Sequence, residues 1–62
     1  MYVYKVWAYI GGGTSDYWRF IKLENPITEK QEHEIREKFC QELIREHDCT
    51  IEWEGLTLYT IE

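Results

Sequence analysis

The stretch "TIEWEGLTLYTIE", residues 50–62, decides the fold. It holds two short alternating runs on either side of Glu54 and Gly55. If those two residues form a tight turn, Trp53 faces Leu56 and Ile51 faces Leu58, so that Ile51, Trp53, Leu56 and Leu58 share one side as a core face. If instead the segment is a single strand, a bulge at Gly55 shifts the phase equally well. The hairpin is the preferred reading and gives the order ββαββ; the bulged strand gives ββαβ.

The upstream elements are simpler. "ENPITEKQ" announces a helix: Pro26 closes the preceding strand, Thr28 is the N-cap and Gln31 completes a capping box. The helix is expected over about residues 29–47 and ends at Asp48. On a helical wheel Ile35, Phe39 and Leu43 form the central apolar stripe, flanked by Cys40, Ile44 and His47, while Glu34, Lys38, Gln41 and Arg45 point away. Arg36 falls within the apolar arc, as a snorkelling side chain at the sheet edge with Glu32 in reach.

Residues 2–10, "YVYKVWAYI", and 17–23, "YWRFIKL", are rich in aromatic and β-branched types and read as strands. The turn formers "GGGTSD" between them make an antiparallel hairpin. The fold class is therefore α+β, with one amphipathic helix on one face of a small antiparallel sheet. Residues 1–62 are expected to be a single domain, without repeats or linkers. A chain of this size buries only about 60% of its unfolded surface, so its core is small.

Composition limits the function classes. With 44% apolar and 31% charged residues the chain is globular rather than disordered, and no apolar run is long enough for a membrane span. The start has no secretory pattern, and Cys40 and Cys49 are too few for a disulfide framework. The expectation is a cytoplasmic protein with free thiols and no membrane partner. A net charge of −5 disfavours non-specific attraction to nucleic acid. The charge is uneven: residues 1–23 carry +2 and residues 24–62 carry −7.

No motif names a reaction. His33, Cys40 and His47 recur every seven residues, but seven helical residues rise about 10.5 Å, too far for ligands of one zinc ion. "HEIRE" at 33–37 has Glu37 where a metalloprotease helix needs its second His. His47 and Cys49 lack an orienting third group and an oxyanion donor for nucleophilic catalysis. The three glycines of "GGGTSD" lead into a strand rather than a helix and have no closing lysine, so they read as a mobile hairpin tip and not as a phosphate loop. The chain is expected to be non-enzymatic, with no metal and no cofactor.

A surplus of aromatic surface remains. Strand residues alternate faces, and one helix covers only one face of a small sheet. The set Val3, Lys5, Trp7 and Tyr9 is assigned to the open face, because Ala8 leaves room for an overlying helix and a lysine does not belong beneath one. Trp18 and Arg19 on the second strand, with Tyr59 and Ile61 in the tail, supply further contact chemistry. Scattered exposed aromatics are ordinary in small sheets, but a contiguous patch marks a contact site.

The leading expectation is a protein-binding module acting through Lys5, Trp7, Tyr9, Trp18, Arg19 and Tyr59 or through the acidic helix, represented by Glu34 and Glu37. Small acidic chains of phage and mobile elements block host proteins, including nucleases. By that analogy the expected role is inhibitor or accessory factor, with nucleic-acid mimicry by the carboxylates as a minor variant. Against mimicry, Lys30–Glu34, Glu34–Lys38, Lys38–Glu42 and Glu32–Arg36 are spaced as ordinary helix ion pairs. Two alternatives stand beside this reading. One is a single-strand nucleic-acid binder that stacks bases beside Lys5, Trp7 and Arg19; the other is a structural homo-oligomer that buries the open face, for example as a homodimer.

Overall fold

Strands β1 (Tyr2–Ile10) and β2 (Asp16–Leu23) pair antiparallel, in register from Tyr2 opposite Leu23 to Tyr9 opposite Asp16. The computed structural model describes residues 1–10 and 15–62. The expected mobile tip at 11–14 lies outside the described residues.

Helix α1 (Glu29–His47) starts where its cap dictates. Thr28 Oγ1 accepts the Gln31 backbone N–H at 3.1 Å, and Gln31 Oε1 accepts the Thr28 N–H at 3.0 Å. Two of the helix's unpaired N-terminal donors and flanking groups are thereby satisfied reciprocally. At the other end Asp48 takes a left-handed conformation, φ 48°, and its N–H closes onto the Ile44 carbonyl at 2.9 Å. Asp is among the few non-glycine residues that tolerate this conformation. The connection from β2 is held where Tyr4 Oη accepts the Ile27 N–H at 2.9 Å.

The tail is one strand, β3 (Ile51–Ile61), and the element order is ββαβ. This corrects the expected hairpin. β3 pairs antiparallel with β1 to give a three-stranded sheet of order β2-β1-β3, so β2 and β3 run parallel on either side of β1 and α1 crosses between them.

The register shows why no turn forms. Gly55 stands opposite Trp7, and a Cβ built on it would lie 2.6 Å from Trp7 Cζ2. The glycine supplies the space that the indole occupies. The alternative order ββαβ is the one formed, though without the bulge that this alternative placed at Gly55. The shifts fall between Val3 and Tyr4 and between Tyr9 and Ile10, leaving Tyr59 and Glu52 as the extra residues of β3. Trp53 through Leu58 therefore pair without interruption.

The core lies between sheet and helix. Val6, Ala8, Phe39 and Leu43 are buried, with Tyr17, Ile21, Ile35, Ile51 and Leu56 packed around them. Ala8 is fully covered, as its small side chain allows under a helix. Burying Phe39 and Leu43 stabilises the fold by about 1.5–3 kcal/mol each. Trp53, expected in this core, is instead 70% exposed opposite Tyr9. Its place on the helix side is taken by Glu54, opposite Ala8. Among the described residues, no helix is long and apolar enough to cross a membrane.

Candidate protein interface

Alternation along the three strands gathers the aromatic residues on the face that α1 does not cover. β1 contributes Val3, Lys5, Trp7 and Tyr9 in the centre. β2 adds Trp18 opposite Trp7 and Phe20 opposite Lys5, and β3 adds Trp53 opposite Tyr9 and Thr57 opposite Lys5. The bulge leaves Tyr59 on the same face, where its ring meets Phe20 across β1 at 4.8 Å, edge to face. Val3, on this same face, is buried although the helix lies on the other side.

The face is ordered by further contacts. Trp7 and Tyr9 meet edge to face at 6.3 Å, and Lys5 Nζ lies 5.3 Å from the Trp18 ring centre. A lysine ammonium is attracted to the face of an indole while its stem covers apolar surface. Lys5, Trp7, Tyr9, Asp16, Trp18 and Thr57 line a shallow depression of about 290 Å³. Trp18, Phe20, Trp53 and Tyr59 each leave between 46% and 70% of their surface to solvent.

Of the residues expected at a contact site, Lys5, Trp7, Tyr9, Trp18 and Tyr59 come together here. Arg19 does not. It stands opposite Val6 on the helix side, donates to Glu42 at 3.0 Å and lies 5.4 Å from the Phe39 ring centre. Alternation within β2 turns it away from Trp18 and Phe20. Ile61, expected on the open face, is shifted by the bulge to a position opposite Tyr2. Trp53 and Phe20 were not among the expected contact residues. Unbroken alternation through Gly55 is the signal that places Trp53 beside Thr57 and Tyr59.

Glu34 and Glu37 lie on α1, away from the aromatic face. Glu37 accepts hydrogen bonds from Gln41 Nε2 at 3.2 Å and pairs with His33 at 3.3 Å. Of the four helix ion pairs expected from spacing, Glu32–Arg36 forms at 3.6 Å, and Glu42 is taken by Arg19.

The strongest ionic link joins α1 to β3. Arg36 Nε donates to Glu54 Oε2 at 2.8 Å, and Arg36 Nη2 donates to Glu54 Oε1. This two-point hydrogen bond holds the Glu54 carboxyl below the ordinary carboxylate value and raises the Arg36 guanidinium. Beside it, partial burial pushes the Cys40 thiol up, which makes it a poor nucleophile. His33 of "HEIRE" thus pairs with Glu37, and His47, the last of the seven-residue series, stacks on Tyr17 at 4.7 Å.

Comparison with known proteins gives no match: no family model, curated protein or solved structure aligns significantly with the chain.

Proposed function

We propose that this chain is a non-enzymatic protein-binding module that contacts its partner through the uncovered aromatic face, as an inhibitor or accessory factor. The observation that carries the reading is the gathering of Trp7, Tyr9, Trp18, Phe20, Trp53 and Tyr59 on one side of a sheet whose other side holds the whole helix. Exposed Trp and Tyr around a central cation are the residue types that dominate binding energy at protein interfaces. Six large aromatics on so small a chain form a contiguous patch rather than scattered exposure.

The charge pattern favours a protein over a nucleic acid. With Arg19 turned to the helix side, the face offers Lys5 and Lys22. Lys22 lies 3.5 Å from Glu62, and Asp16 adds a carboxylate beside Trp18. A groove that tracks a phosphate backbone needs more cationic surface than this.

The test compares three baits for recovery of bound proteins from a lysate of the source cells. These are the native chain, Trp18→Ser/Phe20→Ser, and Glu34→Lys/Glu37→Lys. β2 side chains are chosen because Trp7 also packs on Gly55, so its removal would disturb the sheet. A partner retained by the native chain and the helix variant but lost by the β2 variant supports the proposal. Retention by the β2 variant with loss by the helix variant would move the contact to α1.

A further inference from the structure

We infer that β3 is a pairing edge for a second copy of the chain, joined antiparallel about a two-fold axis at Leu56 into one continuous six-stranded sheet. The two edges of the sheet differ in kind. β2 carries Asp16 and Lys22 on its open side, near its two ends, and charged side chains of this kind help to keep an edge strand from pairing. β3 is longer and has no lysine, arginine or proline. Its bulges sit near the two ends, leaving Trp53–Leu58 as an uninterrupted stretch whose outward N–H and C=O groups are open to pairing. Trp53, Leu58, Tyr59 and Ile61 are all more than half exposed along it.

The strand is complementary to itself. About Leu56 the strand "IEWEGLTLYTI" sets two like pairs at equal distances, Ile51 with Ile61 and Trp53 with Tyr59. Antiparallel self-pairing there sets Ile51 against Ile61 of the other copy, Trp53 against Tyr59, and Glu54 against Leu58. Each match also agrees in face. Trp53 and Tyr59 lie on the open side, while Ile51 and Ile61 stand opposite Ile10 and Tyr2, in the β1 set that includes Val6 and Ala8. The near-symmetric bulges at Glu52 and Tyr59 preserve this agreement.

No carboxylate meets a carboxylate in this register, since Glu52 falls against Thr60. Aromatic pairs directly across an antiparallel ladder are among its stabilising contacts, and like charges there are destabilising. A two-fold axis normal to the sheet makes the interface isologous and keeps both helices on one side. The groove of about 630 Å³ that runs between α1 and β3, with Ile44 exposed beside it, then faces its own copy. The two aromatic faces merge into a single wider one.

The test is sedimentation equilibrium across a wide dilution series, with folding checked by circular dichroism. The native chain is expected to rise from 7.6 kDa toward twice that mass. Trp53→Lys and Tyr59→Glu should each weaken association by about tenfold or more. Combined, they place Lys against Glu twice across the axis and should restore association to near the native level. Where a variant fails to fold, intermolecular contacts in a mixture of isotope-labelled and unlabelled native chains decide, and these should join Trp53 to Tyr59. A folded native chain that stays at 7.6 kDa throughout overturns the inference. So does a dimer indifferent to both single substitutions, or one whose intermolecular contacts lie on Trp18 and Phe20.

Discussion

Replacing Gly55 with alanine tests the seating of the tail strand against β1. The added methyl would stand 2.6 Å from Trp7 Cζ2 and 2.9 Å from Cε2. Carbon atoms rest about 3.5–4.0 Å apart, so the indole must retreat by about 1 Å. Overpacking of that kind costs about 1–3 kcal/mol. Gly55 has no left-handed backbone angle, so alanine is not strained there. Restricting the unfolded chain would then return about 0.4–1 kcal/mol. The expected net loss is about 1–2 kcal/mol, a large share of the roughly 3–9 kcal/mol available to a chain of this size.

Urea unfolding measures it, with the midpoint falling by about 1–2 M at a slope near 1 kcal/mol/M. The informative step is a double-mutant cycle. In a Trp7→Leu background the clash is gone, and Gly55→Ala should be neutral or slightly stabilising. A similar large loss in both backgrounds would refute the reasoning, because it would mean that Gly55 serves a turn. A native background unaffected by the alanine would refute it as well.

Two further predictions concern the helix and its link to the sheet. Thr28→Ala should lower stability by about 1 kcal/mol through loss of the N-cap. Because the two side chains cap each other, adding Gln31→Ala should cost less than it does alone; strict additivity in urea unfolding would contradict the capping box. The Glu54 carboxyl is held below its ordinary value of 4.5, so the folded state binds its proton less readily than the unfolded state. The stabilisation is therefore complete above pH 4.5 and is lost as pH falls through the lower folded value. The stability gap between the native chain and Glu54→Gln should narrow on acidification through that window, and a gap independent of pH would contradict it.

Much of this architecture is legible in the sequence where several local signals agree. Thr28, Gln31 and the stripe Ile35, Phe39 and Leu43 all indicate one helix, and Ala8 with Lys5 orients β1 correctly. The tail is misread because local signals conflict there. Glu54 and Gly55 resemble a turn between alternating runs, and only the contact with Trp7, more than forty residues away, explains the glycine. The same long-range pairing puts Glu54 opposite Ala8 and within reach of Arg36. Wheel geometry alone offers Arg36 only Glu32. The open face is legible in its central strand and partly in β2, but Trp53 joins it only once the tail is a single strand. Arg19 is chemically suited to a contact site, yet strand alternation assigns it to the helix side.

At the centre of the account, α1 covers Val6 and Ala8 on one face of the sheet while the other face presents its aromatics to solvent. Side-chain relaxation in the presence of a soluble paramagnetic agent tests it directly, measured at high dilution. The rings of Trp18, Phe20, Trp53 and Tyr59 should be strongly enhanced, and Val6, Ala8, Phe39 and Leu43 should be protected. Protection of Trp18 and Phe20 to the level of Val6 would contradict the account.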